Sequence, residues 1–164
     1  MKKVAVILGS DSDLPIAEKC LDVLDRLSIP REVRVISAHR TPEIARDFAM
    51  SARSSGFGVI IAIAGKSAAL AGVLSAHTRL PVIGVPVKSS DLGGMDALLS
   101  TAQMPPGVPV ACVAIDGGAN SAWLAARILS VDDDELSARL EDEAAKTSER
   151  VEQKDNEIRA RYSK

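Results

Sequence analysis

Val4-Ala5-Val6-Ile7-Leu8 runs directly into Gly9-Ser10-Asp11-Ser12-Asp13, and an Ala/Leu-rich stretch at helical spacing follows from Leu14. A short run that is apolar throughout reads as a strand covered on both faces. A strand, a Gly/Ser/Asp turn and then a helix make the opening of a crossover between parallel strands. The same texture returns along the chain. Strands are expected at Lys3–Leu8, Glu32–Ile36, Val59–Ile63, Val82–Val85 and Val108–Ala114. Helices are expected at Leu14–Leu27, Pro42–Ser55, Ser67–Thr78, Gly94–Ala102 and Asn120–Leu129. This alternation predicts an α/β fold with one five-stranded parallel sheet. Val59-Ile60-Ile61-Ala62-Ile63 is as apolar as the first run, whereas Glu32-Val33-Arg34-Val35 alternates as an edge strand would. The expected arrangement is doubly wound, in the order 2-1-3-4-5.

Composition narrows what such a sheet could serve. The 164 residues suffice for one domain with a core, and 46% hydrophobic with 26% charged residues is a globular balance. Aromatics are only 2% and the net charge is −2, so neither base stacking nor a polyelectrolyte face is available and no nucleic-acid partner is expected. No run approaches the ~20 apolar residues of a membrane span, so no membrane partner is expected either. Lys2-Lys3 followed by five apolar residues is too short for a signal sequence. Cys20 and Cys112 are far apart, each in an apolar stretch, and read as small core residues of a reducing compartment. A cytoplasmic protein is the expectation.

The charge is uneven. Residues 132–164 hold 11 acids and 7 bases, whereas residues 1–131 hold 11 acids and 13 bases. The mildly basic body leaves room for an anionic small molecule. From Asp132 on, Leu136, Leu140, Ala144, Thr147, Val151, Ile158 and Tyr162 recur at helical steps and form a narrow apolar seam. The expected division is an α/β body at 1–131 and a C-terminal helix at 132–164. That helix packs on the body or on a neighbouring subunit.

In an open α/β sheet, ligands bind beyond the carboxyl ends of the strands. The first such segment, Gly9 to Asp13, offers hydroxyls and free amides at a helix start. It suits an anion and equally suits a plain N-cap. The second, Ser37-Ala38-His39-Arg40-Thr41-Pro42, places Thr41 as N-cap and Pro42 in the first helical turn. His39 can move a proton near neutral pH and Arg40 can hold a phosphate. The other histidine, His77, falls near a helix C-terminus, where the usual role is to face the helix dipole. The third, Ala64-Gly65-Lys66-Ser67, resembles the tail of a phosphate-binding P-loop, but Ile60 stands where that loop needs glycine. What remains is a loop of tiny side chains with exposed amides. The fourth, from Pro86 to Gly94, is a polar flap or merely a turn. Metal chemistry has little support from two distant histidines and no cysteine cluster. Gly117-Gly118 does not complete a dinucleotide fingerprint. A phosphoryl-receiver module is disfavoured, because Ile63 and Ala64 stand where its acceptor Asp would be.

Taken together, the loops resemble one family. Gly9-Ser10-Asp11-Ser12-Asp13, Ser37-Ala38-His39-Arg40-Thr41-Pro42, Gly84-Val85-Pro86-Val87, Gln103-Met104-Pro105-Pro106-Gly107 and Asn120 with Leu124-Ala125-Ala126-Arg127-Ile128-Leu129 appear in its order and spacing. It is the purine-biosynthesis family that makes 4-carboxy-5-aminoimidazole ribonucleotide, and the resemblance covers roughly residues 3 to 140. It implies a flavodoxin-like fold, no metal or organic cofactor, and a homo-octamer, with a tetramer as the alternative. It implies that His39 is catalytic and shuttles a proton. It also implies that Ser10, Ser12, Asp13, Ser37, Arg40, Gly65, Lys66, Ser67 and Leu70 bind the substrate. Asp13, being an acid, is expected on ribose hydroxyls or backbone N–H groups rather than on phosphate. The body at 1–131 would then be the ribonucleotide-binding catalytic domain.

The family has two branches. One is the N5-carboxyaminoimidazole ribonucleotide mutase, an isomerase. The other is the aminoimidazole ribonucleotide carboxylase, a lyase that uses free CO2. Mutases carry Gly-Gly-Ala-Ala-His-Leu-Pro-Gly in the third loop, where this chain has Gly65 to Gly72 with Ala69 for histidine and Ala71 for proline. The carboxylase pattern, Gly-Arg-Ser-Asn-Ala-Leu-Ser-Gly, matches Gly65, Ser67, Ala69, Leu70 and Gly72, with Lys66 for arginine. Arg40 and Pro42 follow the mutase pattern. The third loop makes carboxylation with free CO2 the expected activity, and the mutase reaction the alternative.

Overall fold

A computed structural model of the chain, which describes residues 1–163, forms strands where the apolar runs lie. β1 (Lys3–Leu8), β2 (Arg31–Val35), β3 (Phe57–Gly65), β4 (Val82–Val87) and β5 (Ala111–Cys112) pair in parallel in the order β2-β1-β3-β4-β5. The crossovers are α1 (Leu14–Arg26), α2 (Pro42–Ala52), α3 (Leu70–His77) and α4 (Met95–Ala102); α5 (Gly118–Leu129) and α6 (Asp134–Tyr162) follow the last strand. This is the expected flavodoxin-like sheet with a long C-terminal helix.

The apolar character of β1 and β3 follows from their two covered faces. Val4, Val6, Leu8, Val59, Ile61 and Ile63 point into a core completed by Ala17, Cys20 and Leu24 of α1 and Ala122, Ala125 and Ala126 of α5. The alternate residues Ala5, Ile7, Ile60 and Ala62 meet Ala45, Phe48 and Ala49 of α2 and Leu74 of α3 on the other side. With so few aromatics, close packing rests on small residues. Gly118 shows how close: an added Cβ would collide with the Ile16 carbonyl oxygen of α1. Cys20 lies in this interface, fully buried, and burial pushes its thiol up to about 11 despite a hydrogen bond with Ser121. It stays neutral and acts as a small core residue.

Most elements shift by one to three residues at an end, and four of the differences have a clear local reason. β2 begins one residue earlier, and Val33 and Val35 of this edge strand remain exposed rather than covered. β5 is two residues rather than seven, since Pro109 supplies no amide and β5 has a neighbour on one side only. α3 starts at Leu70 instead of Ser67, because Ala68 and Ala69 donate to the carbonyls of Lys66 and Ser67 in tight turns that are not helical. α6 is one helix, N-capped by Asp133, but only its first turns pack on the body. Leu136 is buried and Leu140 packs beside it, whereas Val151, Ile158 and Tyr162 are 62%, 57% and 66% exposed. No helix among the described residues is long and apolar enough to cross a membrane.

Candidate active site

All five strands run the same way, so their carboxyl ends share one edge of the sheet. Leu8 of β1 sits opposite Val35 of β2 on one side and Ile63 of β3 on the other. The first loop therefore emerges between the second and the third. The chain also reverses its winding at β1, and a crevice opens there. It is a cavity of about 620 Å³.

The first loop is tied down at both ends. The Gly9 amide donates to the Ile63 carbonyl at 2.9 Å, and an added Cβ on Gly9 would lie 3.3 Å from Ala64 Cβ. The loop therefore lies tight against β3. Residues 11–13 form a short 3-10 turn that feeds α1. Ser10 Oγ accepts from the Ser12 hydroxyl at 3.0 Å and the Ser12 amide at 3.4 Å, and the Ser10 amide donates to Asp13 Oδ2 at 3.0 Å. Asp13 thus takes a backbone N–H, one of its two expected partners. Burial pushes the Asp13 carboxyl above its ordinary value and the Asp11 charge adds to this, while the hydrogen bond from Ser10 opposes both.

The second loop is a compact turn built on Ser37. Its Oγ accepts from the Arg40 amide at 3.2 Å and from Arg40 Nε at 3.4 Å, which fixes the direction of the guanidinium. Thr41 holds the N-cap position of α2, but its hydroxyl donates to the Ser37 carbonyl and accepts from the Ser37 amide, each at 3.0 Å. It closes the loop rather than capping the helix. His39 stands exposed on this turn, free to approach a ligand.

The third loop contributes small side chains and one strained backbone position. Lys66 has φ 51, a left-handed conformation uncommon outside glycine, directly after β3. Ala68 and Leu70 are buried behind it, and Ala64, Gly65 and Ala69 leave space at the floor.

All ten residues picked from the sequence, Ser10, Ser12, Asp13, Ser37, His39, Arg40, Gly65, Lys66, Ser67 and Leu70, line this one cavity. His77 does not; it lies in the last turn of α3. Among the lining residues not singled out by sequence, the polar ones are Lys88 and Ser89 of the fourth loop. Their position just past β4 is the signal that would have found them, by the rule that sites gather at strand carboxyl ends. The Lys88 amide is held by Asp116 Oδ1 at 2.9 Å. Ser89 Oγ is buried with no hydrogen-bond partner among the described residues.

The chain is similar to known proteins in fold and in sequence. The PurE of Treponema denticola superposes with a TM-score of 0.84 at 30% identity, covering 98% of each chain. The N5-carboxyaminoimidazole ribonucleotide mutase of Pyrococcus abyssi is 53% identical over 140 residues, which are 85% of this chain and 80% of that protein. The chloroplastic phosphoribosylaminoimidazole carboxylase of Vigna aconitifolia is 49% identical over 134 residues, 82% of this chain but 24% of that longer protein. The model of the family described as AIR carboxylase matches residues 3–150, a span that includes every loop of the cavity. With sheet, loops and relatives in agreement, the chain belongs to the AIR carboxylase family of purine-biosynthesis enzymes.

Proposed function

We propose that this cavity forms 4-carboxy-5-aminoimidazole ribonucleotide by moving a carboxyl group from N5 to C4 of the bound ribonucleotide. The observation that best supports the chemistry is the meeting of His39, Arg40 and the start of α1 above a floor of Ala64, Gly65, Ala68 and Ala69. Ser10, Arg40 and the amides leading into α1 take the phosphate, where hydrogen-bond donors and the helix dipole favour negative charge. Asp13 shapes that cradle through the Ser10 amide and reaches the ribose. The floor takes CO2, which is small and uncharged.

The steps balance around one proton carrier. The N5–carboxyl bond breaks, CO2 stays on the floor, and N5 takes a proton. The aminoimidazole ring is an enamine, so C4 supplies the electron pair that forms the new carbon–carbon bond. C4 is then tetrahedral and carries both a hydrogen and the carboxylate. Removal of that proton restores the aromatic ring. His39 gives the first proton and takes the second, and so ends in its starting form.

Residues 65–72 point by themselves to free CO2 as the carboxyl source. The mutase reading is preferred because relatives that bear that name match 84% to 90% of this chain, whereas the loop signature concerns one short segment. Free-CO2 carboxylation stands as the second reading. It is favoured by Ala69, which offers no imidazole to a substrate carboxylate, and by the plant relative named as a carboxylase.

The test supplies each substrate separately to the purified enzyme. N5-carboxyaminoimidazole ribonucleotide is expected to be converted efficiently while a scavenger removes free CO2, with little product from aminoimidazole ribonucleotide at millimolar CO2. The reverse pattern would make the enzyme a carboxylase.

Two further features go with this reading. The body at 1–131 is the catalytic unit and the segment after it, with α6, serves assembly into a homo-octamer, for which the exposed Val151, Ile158 and Tyr162 offer the apolar contact surface. A cytoplasmic setting suits the free thiols of Cys20 and Cys112.

A further inference from the structure

The fourth loop makes a flap beside the cavity, and its construction is unusual. It leaves and returns at nearly one place. At one end the Lys88 amide is held by Asp116 Oδ1 at 2.9 Å, and the Asp116 amide is held in turn by the Pro86 carbonyl at 2.9 Å. At the other end Gly94 has φ 93, and a Cβ added there would lie 2.8 Å from Ile115 Cγ2 and 3.1 Å from Lys88 Cα. The base is thus pinched, while the tip, with Leu92 and Gly93 exposed, has little under it. One contact ties this tip to the opposite wall: Lys66 Nζ lies 2.9 Å from Asp91 Oδ2. Among the described residues it is the one ion pair that joins these two loops. The left-handed backbone at Lys66 turns its side chain toward the flap, since Gly65 pairs with Val87 in the adjacent strand.

From this geometry we propose that Asp91 is a positioning residue: its ion pair with Lys66 straps the flap of residues 88–94 to the third loop and so holds Lys88 and Ser89 in the wall of the site. This rests on reading the cavity as the ribonucleotide site. Ser89 is among the lining residues, and its Oγ, buried without a partner, depends on the flap staying in place. Each member of the pair also favours the charged form of the other, raising Lys66 and lowering Asp91 from their ordinary values. Lys66, assigned by resemblance to the substrate, serves first as the flap's anchor. A flap ordered before the ligand arrives costs less ordering on binding.

The pair is solvent-exposed, and such pairs bias an equilibrium by about two- to fivefold. The test begins on the intact, ligand-free protein with millisecond hydrogen exchange. Asp91→Ala is expected to speed exchange of the flap amides about two- to fivefold. Lys66→Asp alone and Asp91→Lys alone should do likewise. The double variant Lys66→Asp with Asp91→Lys should return the rates close to those of the unaltered protein. Asp tolerates the left-handed backbone at 66, and the reversed pair keeps the same combined reach. In turnover, Asp91→Ala should raise KM about two- to fivefold with kcat within twofold, the pattern of lost uniform binding. Unchanged exchange in Asp91→Ala, or a double variant no slower to exchange than either single, would overturn the strap. Faster exchange with an unchanged KM would overturn its role in positioning. The exchange measurements use no substrate, so they decide the strap even if the ribonucleotide reading fails; that failure would show instead as no turnover by the unaltered enzyme.

Discussion

His39→Asn lowers turnover by about 10² or more and leaves ribonucleotide affinity within about tenfold. Asparagine keeps a planar polar group of similar size but cannot take up and release a proton as an imidazole does. His39 is exposed on a turn that Ser37 and Thr41 hold through other atoms, so the fold loses no packing. The phosphate cradle at Ser10 and Arg40 is untouched, which is why binding survives. In the proposed cycle His39 is the group that gives N5 its proton and clears the proton from C4, so its loss blocks both halves. Steady-state turnover and calorimetric binding on the same preparation separate the two effects. Near-normal turnover would remove His39 from the reaction.

Gly118→Ala costs about 3 kcal/mol of folding stability, a large share of what a domain of this size has. The added methyl group would meet backbone rather than a flexible side chain: the Ile16 carbonyl oxygen is in its path and the carbonyl carbon lies 3.1 Å away. α1 and α5 must then separate, and they pack through Ala17, Cys20, Ala122 and Ala125, which have little volume to yield. Ser121, buried and bonded to the Gly118 carbonyl at 2.6 Å, would move with them. Urea denaturation measures the loss. Asn120→Ala, exposed two residues on in the same helix, is the control and should change stability by no more than ~0.5 kcal/mol. A Gly118→Ala protein as stable as that control would show that α1 and α5 do not approach so closely.

The elements legible in the sequence were those whose cause is local. An apolar run of five residues followed by Gly9 and Ser10 could only be a doubly covered strand feeding a helix, and β1 has the expected bounds. The alternation of strand and helix then brought the carboxyl-end loops together, and with them His39, Arg40, Ser10 and Lys66. What sequence periodicity missed depends on neighbours. Val108 to Ala114 has strand character, but pairing needs amides and a partner, so two residues of it joined the sheet. Ser67 to Ala69 has helical character, but after the left-handed Lys66 the amides of Ala68 and Ala69 turn back to the carbonyls of Lys66 and Ser67 instead. The narrow seam of α6 was visible, yet nothing in its spacing said that packing on the body would stop soon after Leu140. Lys88 and Ser89 looked uninformative because a short polar segment after a strand is common. The pairing of Lys66 with Asp91 joins two separate loops and was beyond the reach of any local pattern. The carboxyl source was read from one loop, and relatives that match along most of the chain favour the other branch.

In the proposed reaction this one cavity holds the ribonucleotide, with its phosphate at Ser10 and Arg40 and its ring at His39. A structure of the enzyme with 4-carboxy-5-aminoimidazole ribonucleotide bound tests it directly. Phosphate oxygens are expected within hydrogen-bond distance of Ser10 and Arg40, C4 within reach of the His39 imidazole, and the carboxylate over the floor of Ala64, Gly65, Ala68 and Ala69. A nucleotide bound elsewhere, or bound here with its phosphate far from Ser10 and its ring out of reach of His39, would contradict it.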